Sequence, residues 1–189
     1  MDPRQKAILL SAWHAFAAYG FRKTSMDDIA LGAGMSRPAL YLHYRNKEDI
    51  FRKLVQHYHD EAADAVAAAL AGPGSIPEVL AAAFAAQGGA VIEAMLTSPH
   101  GLELLETGTT VAHDIVAASE ARLGEIYAGW LDQRSRAGQV RLTGTAGEVA
   151  STITAALKGI KVSGPDYPTY KTRVAQLAAL IGAGLTAPG

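Results

Sequence analysis

The residues best suited to chemistry lie on a short predicted helix near position 40. Ser36 is a good N-cap, and the Arg-Pro pair after it suits a first helical turn, in which a missing N–H costs nothing. If Leu40 faces the core, a step of about 100° per residue places Arg37, Tyr41 and Leu42 on the outward arc. An arginine, a tyrosine and a leucine that face solvent together indicate a surface that a partner covers.

The side chains of this arc suit the major groove of double-stranded DNA, which is about 12 Å wide and admits one helix. An arginine can donate a bidentate pair to guanine, whereas proline, alanine and leucine can contact a thymine methyl group. Residues with a hydroxyl, an imidazole or a charge near helix ends are expected to bind phosphates. The predicted base contacts are Arg37, Pro38, Ala39 and Leu42, and the predicted phosphate contacts are Thr24, Ser25, Ser36, Tyr41, His43 and Lys47.

An alternative is that this face packs against another protein and that its charges are merely solvated. Salt distinguishes the two, because released counterions make log K for DNA fall with log salt, and replacing Lys47 should lower that slope. The charge distribution favours DNA. Residues 1–60 hold nine Lys or Arg against six Asp or Glu, whereas the whole chain has a net charge of −1. A small basic head therefore precedes a larger acidic body.

The elements that position these residues are predicted to be helical. Caps, helix-ending glycines and apolar stripes of helical spacing recur along the chain, and the strand-like stretch 139–143 is too short to build a sheet. We expect an all-α fold of about nine helices, with an N-terminal helix-turn-helix head of three helices and a larger helical body. The predicted helices are 3–19, 25–34, 36–44, 46–72, 75–97, 98–108, 110–137, 145–162 and 168–185.

Several kinds of active site are excluded. Cysteine is absent, so disulfide scaffolds, cysteine zinc sites and thiol nucleophiles are ruled out. His57 and His59 diverge by about 200° on a helix and cannot share a metal ion. Neither a nucleophile elbow nor a phosphate-binding loop occurs. We therefore predict no catalytic residue, no metal and no cofactor. The lack of a secretory leader and of a long apolar run predicts a cytoplasmic protein without a membrane partner.

The stretch from Tyr19 to Phe51 carries a more specific pattern. Its most telling parts are Tyr19-Gly20, Thr24-Ser25, Ile29-Ala30, Ala33-Gly34, Ser36, Leu40-Tyr41, Tyr44, Asn46-Lys47-Glu48 and Ile50-Phe51. Taken together, these residues resemble the DNA-binding head of the TetR family of transcriptional regulators. Tyr44 stands where the family more often has Phe. The four predicted base contacts lie at positions that vary within the family, so the resemblance does not predict the operator sequence.

The resemblance implies a homodimer joined through the last two helices, a ligand pocket inside helices five to seven, and release from DNA when an effector binds. The sequence independently allows the dimer, because helices eight and nine each present an apolar stripe. The predicted interface residues are Val149, Ile153, Leu157, Ile160, Val174, Leu177, Ile181 and Leu185. A C2 dimer would place two recognition helices about 34 Å apart and would require a pseudo-palindromic operator.

The predicted pocket is built from aromatic and methionine side chains around a few polar groups, which suits a mostly apolar small molecule. The predicted pocket residues are Phe84, Met95, Leu105, His113, Tyr127 and Trp130. The alternative for each of them is ordinary core packing. The predicted division of the chain is a DNA-binding domain at 1–46, a connecting helix at 47–72, and a ligand-binding and dimerisation domain at 73–189.

Together these predictions describe a ligand-responsive, DNA-binding regulator. It is expected to repress transcription as a homodimer on double-stranded DNA, until a small apolar effector changes the tilt of the fourth helix. The alternative is a helical small-molecule-binding protein or enzyme with a vestigial head. An enzyme would consume a compound that a sensor only holds.

Overall fold

The structure, a computed structural model, describes residues 1–163 and 166–186. These residues form nine α-helices and no strand, which confirms the all-α prediction. The helices are α1 (Pro3–Tyr19), α2 (Met26–Gly32), α3 (Arg37–Tyr41), α4 (Lys47–Leu70), α5 (Ile76–Thr97), α6 (Gly101–Val111), α7 (His113–Arg136), α8 (Ala146–Val162) and α9 (Tyr167–Leu185).

The helix starts follow the capping residues of the sequence. Asp2 accepts a hydrogen bond from the backbone N–H of Gln5 (2.9 Å) at the start of α1. Ser25 and Asp28 form a reciprocal capping box at the start of α2, and α8 begins with a box of the same kind. Each cap satisfies backbone donors that the helix leaves unpaired, and is worth about 1 kcal/mol. Side chains in the sequence therefore determine where these helices begin.

The third helix is shorter than predicted, because it ends at Tyr41 rather than near residue 44. The N–H of Leu42 donates to the Ala39 carbonyl (3.3 Å), three residues back instead of four. The N–H of His43 donates in the same way to Leu40 (2.9 Å). This tighter pattern is typical of helix ends, and it leaves α3 with five residues.

The boundary between α6 and α7 also differs from the prediction. α6 continues to Val111 and α7 begins at His113, whereas the predicted boundary lay between residues 108 and 110. The break is at Ala112, whose backbone is non-helical (φ −128°, ψ 28°) and whose side chain is fully buried. Neither glycine nor proline marks this point, so the local sequence contains no helix breaker.

The chain folds into two compact units. Unit 1 comprises Met1–His59 and Ala94–Val116, and unit 2 comprises Asp60–Glu93 and Ala117–Gly189. The helices α4, α5 and α7 each run from one unit into the other. The predicted functional boundaries at residues 46 and 72 lie at the two ends of α4, whereas the division between the units lies within it.

Unit 1 has one apolar core to which α1, α2, α3, α4 and α6 contribute. Its fully buried members include Ile8, Ala12, Phe16, Ile29, Leu40 and Ile50. The rings of Phe16, Phe21 and Phe51 meet one another, with centroids 5.1 to 5.6 Å apart. Each such pair adds about 0.5–1.5 kcal/mol to the effect of burial. Leu104 of α6 belongs to the same core, so α6 is part of the unit that contains α2 and α3.

The core of unit 2 contains buried aromatic residues of α5 and α7. Phe84 and Tyr127 are fully buried, and their ring centroids lie 5.9 Å apart at an angle of 73°. The Tyr127 hydroxyl donates to Gln87 Oε1 (2.9 Å), which satisfies the polar atom of that ring. At the other end of α5, a Cβ on Gly182 would lie 2.8 Å from the Pro77 Cα. α9 therefore needs glycine at this position to approach α5.

α5 is the most apolar helix of the chain. By length and mean hydropathy (1.7), Ile76–Thr97 could cross a membrane. However, Gly89 interrupts the helix with non-helical angles (φ 55°, ψ −170°). Its inward residues within unit 2 are buried against protein: Val79, Leu80, Ala83, Phe84, Gly88 and Ile92. We therefore assign α5 as a core helix of a folded unit.

Candidate nucleic-acid interface

The turn between α2 and α3 is closed by a left-handed glycine. Gly34 has φ 67°, and its N–H donates to the Leu31 carbonyl (3.1 Å). The N–H of Met35 donates to Ala30 (3.0 Å), which completes a Schellman-type helix end. An L side chain at position 34 would strain this backbone. The glycine thus allows α3 to start shortly after α2, as a helix-turn-helix requires.

α3 has one side in the core and the other in solvent. Leu40 is fully buried and Ala39 is half-buried. The exposed residues of the segment are Arg37, Pro38, Tyr41, Leu42 and His43. Leu42 is 87% exposed, although a leucine gains from burial. The structure therefore brings three of the four predicted base contacts to one exposed face, with Ala39 at its edge, and their contact with DNA stays a prediction.

Arg37 is oriented by two polar partners. Its Nη1 donates to Asp27 Oδ2 on α2 (2.9 Å), and its Nη2 donates to the Tyr41 hydroxyl one turn along α3 (3.4 Å). The guanidinium carbon also lies 5.6 Å from the centroid of the Tyr41 ring. The Tyr41 hydrogen bond, and then the charge of Asp27, raise the pKa of Arg37 above its ordinary value. The arginine stays charged and has a defined direction.

The predicted phosphate contact of Thr24 needs correction. The Thr24 side chain is 2% exposed, and its hydroxyl lies between the carbonyls of Ala15 (3.1 Å) and Gly20 (2.8 Å). A hydroxyl has one proton to donate, and two acceptors within the fold compete for it. Thr24 therefore joins α1 to the turn that follows it, and its side chain does not reach solvent.

Lys47 needs a similar correction. Its Nζ donates to the carbonyls of Phe21 (2.7 Å), Arg22 (3.0 Å) and Thr24 (3.0 Å). These three bonds use all the N–H donors of an ammonium group. The Nζ also lies 4.8 Å from the centroid of the Phe21 ring. Lys47 therefore fastens the start of α4 to the turn between α1 and α2, and it has no donor left for a phosphate.

The two predicted serine contacts are N-caps. Asp28 Oδ2 accepts from Ser25 Oγ (2.6 Å) and from the Ser25 N–H (2.8 Å), and these two bonds lower the pKa of Asp28. Ser25 Oγ in turn accepts from the Asp28 N–H (3.2 Å). Ser36 Oγ accepts from the N–H of Ala39 (3.3 Å). Both serines are exposed at the start of a short helix. A phosphate contact by either stays a prediction.

Sequence reasoning missed two residues of this surface. Asp27 holds Arg37 although the two are ten positions apart, a spacing that no helical rule connects. Leu31 on α2 is 83% exposed, which resembles the exposure of Leu42 on α3. The charge of Asp27 was the available signal, since a carboxylate in the first turn of one helix can face an arginine in the first turn of the next.

The predicted pocket residues are divided between the units. Phe84, Tyr127 and Trp130 are buried in unit 2, and the Trp130 indole N–H has no hydrogen-bond partner among the described residues. The other three, Met95, Leu105 and His113, belong to unit 1, and His113 is exposed. A cavity of about 200 Å³ lies elsewhere in unit 2, between α5 and α9. Its lining includes Ala85, Gly89, Tyr167, Tyr170, Lys171 and Val174, and none of the six predicted residues.

The predicted dimer stripe needs correction at its buried positions. Four of its members are buried within unit 2 of the same protomer: Ile153, Leu157, Val174 and Leu185. The other four are half-buried: Val149, Ile160, Leu177 and Ile181. The apolar stripe of each helix therefore lies partly in the protomer's own core, and a dimer contact by its four half-buried members stays a prediction. The outer sides of α8 and α9 instead expose Ala155, Gly159, Val162, Ala179, Leu180 and Ala183.

Comparisons with known proteins agree with the geometry of the head. Residues 8–54 match the family model described as bacterial regulatory proteins, tetR family. The chain is 33% identical over 69 residues to the HTH-type transcriptional activator FasR of Mycolicibacterium smegmatis, a match that covers 36% of this chain and 32% of FasR. It is 39% identical over 54 residues to the HTH-type transcriptional regulator EthR of the same species, covering 29% of this chain and 25% of EthR. The matches thus span a third or less of these curated relatives.

The fold match extends along the whole chain. A transcriptional regulator from Cytophaga hutchinsonii has the same fold with a TM-score of 0.79 at 19% identity, and the alignment covers 98% of this chain and 100% of that one. At this identity the likeness concerns the fold alone. The head of the chain therefore matches the tetR family of bacterial regulatory proteins in sequence, and the full length shares its fold with a solved transcriptional regulator.

Proposed function

We propose that the chain is a transcriptional regulator that binds a pseudo-palindromic DNA operator as a homodimer and is released by a small apolar effector. The observation that carries the proposal is the outward face of α3. The fold fully buries Leu40 alone among the five residues of this helix, and it leaves Arg37 and Leu42 in solvent. A cation beside an exposed leucine on a capped helix suits the major groove, where guanine offers two acceptor atoms and thymine offers a methyl group.

The contacts are divided by chemistry. Arg37 donates to a guanine, and Pro38, Ala39 and Leu42 contact thymine methyl groups. Tyr41 and His43 bind phosphates, together with Ser25 and Ser36 at the helix starts. Thr24 and Lys47 act indirectly, by holding the turn that precedes α2.

A binding assay with a duplex selected from a random library tests this function. We expect log K to fall with log salt by about 0.9 per neutralised phosphate. Arg37→Ala should lose roughly 10- to 100-fold in affinity for the selected duplex and relax the preference at one base pair. Arg136→Ala is the matched control, because it removes an exposed arginine from α7 in unit 2. A flat salt response, or failure to select any duplex, contradicts the proposal.

The homodimer is proposed to form through the outer sides of α8 and α9. These helices are joined by a short connection and pack against each other, so two copies would build a four-helix interface. The exposed positions include Ala155, Gly159, Ala179 and Ala183, and small residues allow helices of two copies to approach closely. A C2 pair would then present two copies of α3 to successive turns of the DNA.

Effector release is proposed to act through α5, α6 and α7. Residues 94–116 belong to unit 1 and continue directly into the unit 2 parts of α5 and α7. Within unit 1, Ser98 Oγ donates to the Ala17 carbonyl (2.7 Å), and Glu103 accepts from the Arg22 N–H (3.2 Å). A ligand that moves these helices therefore acts on contacts of the head itself. A tenfold to hundredfold loss of operator affinity needs about 1.4–2.8 kcal/mol of coupling.

The effector step is tested with apolar compounds that raise the melting temperature of the protein. Each such compound is titrated into the DNA-binding assay, and at least one should weaken binding tenfold or more. Turnover of the compound is followed in the same samples, since consumption would favour an enzyme over a sensor. Unchanged operator affinity at saturation with every stabilising compound contradicts effector release.

Repression is proposed as the outcome, because a dimer bound across a promoter excludes polymerase without any further contact. FasR, which matches the head, is named as an activator, so the direction is measured with a reporter under the selected operator. Reporter expression should rise when the regulator is removed, and a fall would assign activation. The proposed place of action is the cytoplasm, where bacterial DNA lies.

A further inference from the structure

We propose that Asp27 is a specificity-determining residue, which holds Arg37 ready for a base contact and lowers the affinity of the head for DNA of other sequences. This inference rests on the DNA-binding function proposed above. Asp27 was assigned no role by the sequence patterns, and it lies on α2 rather than on the helix that contacts bases.

The geometry places Arg37 between two partners on two helices. Asp27 Oδ2 accepts from Nη1 (2.9 Å), and the Tyr41 hydroxyl accepts from Nη2 (3.4 Å). Both side chains of the ion pair are exposed, 58% for Arg37 and 59% for Asp27. An exposed ion pair adds little to folding stability. The ion pair is therefore available for a function in DNA binding.

The first consequence is preorganisation. A guanidinium is planar and has five N–H donors in a fixed arrangement, of which Asp27 and Tyr41 take two. Once two donors are fixed, the direction of the remaining three is fixed as well. A guanine that offers O6 and N7 in that direction binds without first ordering a long flexible side chain. Asp27 thereby favours the correct base.

The second consequence is discrimination against phosphates. The carboxylate of Asp27 lies against the guanidinium of Arg37. A phosphate of the DNA backbone therefore experiences almost no net charge from this pair. A duplex without the matching guanine gains little from Arg37 and is repelled by Asp27. Its neighbour Asp28 cannot do the same, because Asp28 is bound in the capping box of Ser25. Asp27 is thus the acid of α2 that faces Arg37.

The experiment compares Asp27→Asn with the wild type on two duplexes of equal length, one selected from a random library by the wild type and one scrambled. We expect affinity for the scrambled duplex to rise about two- to fivefold, with a salt slope steeper by about 0.9, as for one more neutralised phosphate. The ratio of selected to scrambled affinity should fall at least fivefold. Asp27→Ser serves as a second variant if Asn lowers the melting temperature.

Two controls separate orientation of Arg37 from a general effect of charge. Glu48→Gln removes one negative charge from the start of α4 in the same unit and should change the ratio by less than twofold. In an Arg37→Ala background, Asp27→Asn should leave the ratio unchanged, because the residue that it positions is gone.

The outcomes distinguish this inference from the function on which it rests. The role of Asp27 is overturned, with DNA binding left intact, if Asp27→Asn does not change the ratio of selected to scrambled affinity. It is also overturned if Glu48→Gln changes this ratio equally, or if Asp27→Asn still changes it in the Arg37→Ala background. A wild type that does not distinguish the two duplexes overturns the proposed function itself.

Discussion

At the scale of single residues, polar side chains of the head divide into those that hold the fold and those that face outward. Lys47 bonds to three carbonyls that lie 23 to 26 positions earlier in the chain. Arg37 lies on the exposed face of α3 instead. Both are cations near a helix start, and residue type alone does not distinguish them. Only the path of the backbone shows which of the two cations has backbone carbonyls around it.

Replacing Lys47 tests this division. Lys47→Ala leaves three carbonyls of the α1–α2 turn without their donor, and we expect the free energy of unfolding to fall by about 1.5–3 kcal/mol. Urea unfolding followed by the fluorescence of Trp13, in a Trp130→Phe background, measures the effect in unit 1. Lys53→Ala removes an exposed lysine of the same helix, and it should change stability by less than about 0.5 kcal/mol.

Salt dependence provides the complementary readout for Lys47. If this lysine is structural, the folded Lys47→Ala variant keeps the wild-type salt slope of DNA binding. Unchanged stability together with a slope lowered by about 0.9 would restore the phosphate contact predicted from the sequence.

The candidate site was predictable to the extent that it is local. Capping at Ser36 and the helical period place Arg37 and Leu42 on an outward face, and the structure has both exposed. The environment of Thr24 was not predictable, because its acceptors, the carbonyls of Ala15 in α1 and of Gly20, come close only through the irregular path of the turn between α1 and α2. The pairing of Asp27 with Arg37 likewise crosses between two helices.

At the scale of elements, α6 depends on a close backbone approach. Gly101 is the first residue of α6, and a Cβ at this position would collide with the backbone carbonyl of Met95. Gly108 is also buried in α6, yet a Cβ there would meet nothing within 4 Å. The two glycines of one helix therefore differ in what they contribute.

Substituting each glycine separates these roles. Gly101→Ala should lower the free energy of unfolding by about 1–3 kcal/mol, because the collision is with backbone that must shift. Gly108→Ala should raise it by up to about 1 kcal/mol, because alanine favours a helix interior. Thermal unfolding of both variants measures the contrast. A Gly101→Ala variant as stable as the wild type would show that α5 and α6 do not need this approach.

Helix starts were more predictable than helix ends or helix contacts. Starts depend on side chains a few residues away, as in the box formed by Thr145 and Glu148. The end of α6 at Ala112 has no such local mark. The sequence correctly identified the apolar stripe that includes Ile153 and Val174, but it did not identify the surface against which these two residues pack. A stripe of this kind packs equally well in a protomer's core or in a dimer interface.

At the scale of the whole molecule, stability should depend on pH through a buried tyrosine. Burial, and then the neighbouring Tyr170, raise the pKa of Tyr127 in the folded state. A raised folded pKa means that its contribution is complete below the unfolded value of about 10 and is lost as the pH rises above it. Burial lowers the pKa of Lys161, which acts in the opposite direction up to about pH 10.4.

Above that pH, the tyrosines determine the trend. We expect the free energy of unfolding to fall with pH there, by up to about 1.4 kcal/mol per pH unit for each tyrosine that stays protonated only when folded. Tyr127→Phe removes the titrating hydroxyl and should make the fall less steep. Urea titrations at a series of alkaline pH values measure it, and an identical slope in the variant would assign the loss to other groups.

In the proposed dimer, the arrangement of the two heads depends on which face joins the protomers. Leu180 is 74% exposed on the outer side of α9, away from the buried Val174 and Ala178. In the proposed dimer it is covered by the partner. Leu180→Glu would bury a charge there, and we expect the dimer to dissociate at concentrations at least about 100-fold higher than the wild type. Sedimentation equilibrium measures this change.

Loss of the dimer should also weaken operator binding. One bound head holds the other near its half-site, and that gain of roughly 100-fold or more disappears when the protomers separate. Leu102→Glu is the matched control, because it places the same charge on an exposed leucine of α6 in unit 1. It should remain dimeric and bind the operator as the wild type does. A dimeric Leu180→Glu variant with unchanged operator affinity would instead mean that the protomers meet through a different face.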